Sequence, residues 1–116
     1  MIVSASTAAL LLQLVVYRTE ENPLLGSWRL DASKGSPASC ENIAELDFDA
    51  TTMTAVDVTG QRVQTPAFYR RTPSVMFVSQ DPNFSRVLHF TFLDPHRIAA
   101  ENRLQCVYLW QPGQAQ

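Results

Sequence analysis

Beyond Gly26 the apolar residues of this chain fall at alternate positions, and this period of two is the feature that most restricts its fold. Ala44, Leu46 and Phe48 share one side of an extended segment while Glu45, Asp47 and Asp49 share the other, the pattern of a strand with one wet face. Leu88, Phe90 and Phe92 alternate with Val87, His89 and Thr91 in the same way. Further strand-like runs cover residues 27–31, 52–58, 62–71, 75–79, 97–101 and 106–111, so about eight short strands are expected. Turn residues separate them: Gly60 after Asp57-Val58-Thr59, where glycine admits positive φ, then Thr72-Pro73, Asp81-Pro82-Asn83 and Asp94-Pro95-His96. Short strands joined by tight turns pair as successive hairpins. The expected fold is therefore mainly β, a small antiparallel up-and-down β-barrel or a sandwich of two packed sheets. Residues 30–42, with Gly35, Pro37 and several serines, form the one longer loop, expected to be exposed and mobile.

Residues 2–17, IVSASTAALLLQLVVY, obey a different rule. No charged side chain precedes Arg18, and neither Pro nor Gly interrupts the run. This predicts a single N-terminal apolar, transmembrane-type α-helix. At about 1.5 Å per residue it reaches roughly 25 Å, slightly short of a hydrocarbon core of about 30 Å, so it spans with local thinning or beside other helices. A removed signal peptide needs a basic segment before the apolar run and small residues at a cleavage site after it, and the sequence has neither. A buried helix in a soluble assembly is the other alternative. Ser4 with Ala8, and Ala5 with Ala9, offer small-residue faces for close approach of a partner helix, and Gln13 offers a hydrogen bond across such an interface. The expected division is an anchor over residues 1–19, a charged linker over 20–25, the β-domain over 26–112 and a frayed tail over 113–116.

Charge narrows the partners. Nine basic residues against eleven acidic ones leave a net charge of -2, and the basic residues are scattered from Arg18 to Arg103. No stripe exists that would track a phosphate backbone, so nucleic acid is not an expected partner.

Cys40 and Cys106 precede the second and the last expected strands. In a closed meander the last strand lies beside the first, and the loop before the second strand reaches the same rim. A disulfide between them is expected, stabilising a small core by about 3 to 4 kcal/mol. Two buried free thiols in a reducing compartment are the alternative. Only His89 and His96 stand among the other strong metal ligands, without C-x-x-C or H-x-x-x-H spacing, so neither metal nor other cofactor is expected. His89, with no nucleophile or carboxylate at a telling spacing, reads as a surface or packed histidine, and His96 as a solvated turn residue. The row Glu45, Asp47, Asp49 would suit acid–base chemistry or a cation, but alternating charge is the ordinary dress of a wet strand face. Arg70-Arg71 beside Phe68-Tyr69 suits an acidic partner, or the protection of a sheet edge.

At Gly26-Ser27-Trp28 the chain resembles lipocalin-like proteins, in which a Gly-x-Trp motif opens the first strand and the Trp closes one end of a barrel. The resemblance covers about a tenth of the chain. It implies a small barrel, and it implies that a basic residue near the last strand, here Arg103, packs on Trp28 through a cation–π contact. Lipocalins are much longer, and strands of about five residues imply a barrel filled by its own side chains.

The expected function is a non-enzymatic, membrane-anchored accessory or scaffolding subunit of a larger membrane protein complex, in contact with lipid and other subunits. Phe68, Phe84, Tyr108 and Trp110 are its contact candidates, because aromatic residues carry much interface energy. The alternative is a lipocalin-like carrier or sensor of a small apolar ligand, with Trp28 flooring a pocket lined by Phe77, Phe90 and Tyr108. The excess of Arg18, Arg29 and Lys34 after the helix would place the β-domain in the cytoplasm. The cysteines argue for the periplasmic or extracytoplasmic side, which is the expectation adopted.

Overall fold

The computed structural model describes residues 22–112. Nine strands follow in order: β1 (Gly26–Leu30), β2 (Ile43–Phe48), β3 (Thr52–Asp57), β4 (Arg62–Pro66), β5 (Phe68–Arg71), β6 (Val75–Ser79), β7 (Val87–Asp94), β8 (Arg97–Ala100) and β9 (Val107–Trp110). They form one antiparallel sheet in the order β4-β3-β2-β1-β9-β8-β7-β6-β5, a nearly closed barrel in which consecutive strands pair except β4 with β5, and β9 returns to β1. The expected anchor over residues 2–17, with Ser4, Ala5, Ala8, Ala9 and Gln13, and the tail from residue 113 lie outside the described residues. Among those described, no helix is long and apolar enough to cross a membrane.

Nine strands where about eight are expected follow from a single break. Every pairing is antiparallel, so stepping along the sheet from β4 to β5 reverses direction eight times, and β4 and β5 run the same way. They are two halves of one extended run, residues 62–71, interrupted at Ala67. The first half pairs with β3 and the second with β6. Pro66 cannot donate to a ladder, and at the buried Ala67 the N–H turns instead to the Thr51 carbonyl at 2.8 Å. Tyr69 closes the seam from the other side, its hydroxyl donating to the Asp49 carbonyl at 2.7 Å in the β2–β3 turn.

The inner face is the alternation read from the sequence. Trp28, Leu46, Phe48, Met53, Met76, Phe90, Ile98 and Tyr108 are buried, and Phe48 meets Phe90 edge to face at 5.3 Å. Each such side chain withdrawn from water stabilises the fold by about 1.5 to 3 kcal/mol. A β-bulge between Ile43 and Glu45 changes one detail: Ile43, not Ala44, packs against the core beside Leu46. Leu24, wholly buried, plugs one end of the barrel, and its carbonyl accepts the Trp28 indole N–H at 2.7 Å.

The long loop is more structured than its composition suggests. It holds two 3-10 turns, Ala32–Lys34 and Pro37–Cys40, and Gly35 packs against Gln105 so closely that an added Cβ would meet the Gln105 Cβ at 3.2 Å. At its end Cys40 is bonded to Cys106, with Cα atoms 5.6 Å apart. Five aspartates fasten the loops by accepting backbone N–H groups two residues on: Asp31, Asp49, Asp57, Asp81 and Asp94. Each carboxyl lies below its usual range, chiefly through the side-chain hydrogen bond from Ser33 for Asp31, Thr59 for Asp57, Ser85 for Asp81 and Arg97 for Asp94, and through the Thr51 N–H for Asp49, with the other backbone bonds adding to it.

Two outcomes test this construction. Replacing both Cys40 and Cys106 with Ala lowers the unfolding free energy by about 4 kcal/mol, because the bond closes a loop with a sequence separation of 66. Denaturant unfolding reads the loss, which reduction of the native protein should reproduce. Tyr69→Phe loses about 1 kcal/mol by the same measurement, with the folded spectrum unchanged, since it removes a single seam hydrogen bond.

Candidate functional site

The outer face of β5, β6 and β7 carries a row of aromatic, arginine and histidine side chains. Cross-strand pairing sets Arg70 beside Phe77, and Phe77 beside His89, in one outward row. Phe68, Ser79 and Val87 make the adjacent row. His89 ends the first row against Glu101, whose Oε2 accepts the His89 backbone N–H at 2.6 Å and lies 3.2 Å from Nδ1. Its ring sits 6.2 Å from Phe77. His89 is thus a packed surface histidine with a carboxylate neighbour that its sequence surroundings did not advertise.

The loop between β6 and β7 folds back over this face. Asp81 organises it, accepting from Asn83 N at 2.9 Å, Ser85 N at 3.3 Å and Ser85 Oγ at 2.5 Å. The Ser85 hydroxyl bond is the main reason that the Asp81 carboxyl lies below the usual range. The turn forces Phe84 to φ 54, a region that aromatic residues seldom occupy. In return Phe84 is placed under the Arg70 guanidinium, 4.2 Å from its ring centroid. Phe68, 39% exposed, completes the patch. Of the four contact candidates, the structure therefore brings Phe68 and Phe84 to one face and adds Arg70 and Phe77, which the period-two pattern alone could not gather.

The other two are elsewhere. Tyr108 is buried, donates to the Ile43 carbonyl at 2.8 Å, and has its hydroxyl pushed up to about 12 by burial. Trp110 lies at the Leu24 end, stacked on His96 at 4.9 Å with an interplanar angle of 12°, so His96 is not simply a solvated turn residue. The pair borders a cleft of about 690 Å3 that also takes in Pro23, Leu25, Asp47 and Thr54.

At the disulfide end of the barrel the free space is small. A cavity of about 140 Å3 lies beneath the disulfide among Ile43, Leu46, Met53, Phe90 and Tyr108. Phe77 is on the outer face and does not line it. Trp28 is wholly buried against Phe92, 6.3 Å away, and is not its floor. Arg103 stands at the cavity's rim instead of on Trp28: it donates to the Ser39 carbonyl, approaches Cys106 Sγ at 3.4 Å and Glu41 at 3.7 Å. The basic residue before the last strand thus braces the disulfide loop.

The carboxylate row on β2 is divided among structural tasks. Asp47 pairs with Arg62 at 3.2 Å, and Asp49 caps the β2–β3 turn through the N–H groups of Thr51 and Thr52. Glu45 lies opposite Arg29, and burial, followed by its hydrogen bond to Asp47, raises its carboxyl above the usual range. Among the described residues, no group of three or more His, Cys, Asp or Glu side chains is placed to hold a metal ion. No family model, curated protein or solved structure matches the chain.

The raised carboxyl gives a pH signature. Above its folded value Glu45 is ionised where ionisation is disfavoured, which costs stability; below the unfolded value both states are protonated and the cost vanishes. Glu45→Gln should raise the denaturation midpoint near neutral pH, with the gain fading as pH falls through the carboxylate range. A gain equal at every pH, or a loss near neutrality, would contradict this origin.

Proposed function

We propose that this chain is a non-enzymatic accessory subunit, held at a membrane by apolar residues 2–17, whose β-domain presents its outer face to a protein partner on an oxidising side. One contrast carries the reading. Beneath the disulfide the barrel leaves about 140 Å3, less than the roughly 300 to 1,000 Å3 of drug-sized ligand sites, and its larger clefts, of about 690 and 330 Å3, open outward at the Leu24 rim and beside Pro66. Ordered aromatic and arginine side chains stand outside it, on a loop whose strain positions Phe84 beside Arg70. Strained loops and exposed Arg–aromatic pairs are typical of contact surfaces. The Cys40–Cys106 bond favours an extracytoplasmic compartment, and the length and apolarity of residues 2–17 favour an anchor.

The test is isolation of the full-length protein in mild detergent. The reading expects membrane extraction only by detergent, with stoichiometric subunits accompanying the chain. The double variant Arg70→Glu, Phe84→Ala should retain the fold and reduce that association by roughly tenfold or more. A full-length chain that is monodisperse in plain buffer and carries no partner would overturn it.

A further inference from the structure

We infer that the outer edge of β4 is a strand-addition site, and that its occupant is an extended, acidic segment of a partner protein. The inference rests on the accessory-subunit reading and names the chemistry of the partner.

The argument begins with the division of residues 62–71. Once the run leaves β3 for β6 at Ala67, each half keeps one edge without a neighbouring strand. The β5 edge is tied by Tyr69 and by the Ala67 N–H to the β2–β3 turn. Among the described residues, nothing equivalent closes β4: its backbone pairs with β3 alone. Arg62, Val63, Gln64 and Pro66 are exposed, with Val63 at 55%. Edge strands of soluble proteins usually carry a bulge, an inward charge or a central proline. Here the proline stands at the last position and the rest of the strand is regular in register.

Beside this edge lies an opening of about 330 Å3, where β4 parts from the end of β6. Met53, Pro66, Val78, Val87 and Leu88 give it an apolar lining, and Arg86, exposed, is the only charged residue on it. Thr65 Oγ1, buried on the same strand, has no hydrogen-bond partner. Arg70 and Arg71 follow on β5. An added strand would satisfy the outward N–H and C=O groups of β4, lodge an apolar side chain in the opening and set carboxylates against Arg86. The same positive charge disfavours a second copy of this chain, because pairing two β4 edges would bring like charge towards like.

Hydrogen-exchange mass spectrometry of the full-length protein in mild detergent tests this, with a capped peptide alternating glutamate and valine as probe and one alternating lysine and valine as control. The acidic peptide should slow exchange across Arg62–Pro66 and the basic one should not. Arg86→Glu, an exposed change that leaves exchange elsewhere unaltered, should weaken the acidic peptide by about fivefold. No slowing in β4, equal slowing by both peptides, or slowing that rises with protein concentration without peptide would each overturn the proposal, the last by assigning the edge to a second copy. Protection of β4 by the acidic peptide in a chain that co-purifies with nothing would sink the accessory reading and leave this site standing; accompanying subunits with an unprotected β4 would do the reverse.

Discussion

An antiparallel sheet can close on itself only with an even number of strands, because neighbours must alternate in direction all the way round. This chain meets the condition by making residues 62–71 serve as one strand in direction and two in pairing. The seam, the Tyr69 hydroxyl bond across it, the buried Ala67 and the opening beside Pro66 all follow from that compromise. Had the run paired along its whole length with both neighbours, the opening would have no reason to exist, and β4 would have no free edge.

The fastening of the barrel is correspondingly uneven. At one rim the disulfide joins the loop before β2 to the chain entering β9, with Arg103 bridging Ser39 and the sulfur. At the opposite end Leu24 is buried and held to Trp28, and the stacked His96–Trp110 pair borders it. Both clamps act on β1, β2, β8 and β9, the half of the barrel farthest from the seam. The strands that diverge, β4 and β5, are joined at the seam to the β2–β3 turn through the Tyr69 hydroxyl and the Ala67 N–H. A domain built this way keeps its core fixed while one flank stays open, which is the flank that the proposed binding role would use.

Much of the fold was legible because burial on one face of a strand imposes a period of two, and that period survives in Leu46 and Phe48, and in Phe90 and Phe92. Three of the turn aspartates, Asp57, Asp81 and Asp94, were legible for the same local reason: short side chains cap their own turns. The missed details are non-local. A bulge exchanges Ala44 for Ile43 without altering composition, and Ala67 breaks the run through a hydrogen bond to Thr51, sixteen residues earlier. Cys40 with Cys106 was found by topology, since a closed meander brings their rims together. The candidate site was only half visible: Phe68 and Phe84 were marked as aromatic, yet nothing local could reveal that Arg70, Phe77 and His89 form a row, because that depends on the register of three strands. Trp28 and Arg103 show how a motif can fix an architecture and mislead about a contact, the tryptophan taking its expected buried place while the arginine turns to the disulfide.

The two outer features also constrain each other. The Arg70–Phe84 patch and the β4 edge lie on either side of the same loop, residues 80–86, whose Arg86 lines the opening and whose Phe84 covers the sheet. Asp81 fastens that loop through three hydrogen bonds to its carboxyl oxygens, which accept more strongly when the group is ionised. Because those bonds lower the Asp81 pKa, the contribution is present above the ordinary aspartate value and is lost as pH falls through the lower folded value. A partner strand seated on β4 would contact the loop from below while Phe84 and Arg70 engaged it from above. One short segment, fastened by Asp81, therefore borders both surfaces, and protonating that carboxyl weakens a fastening they share.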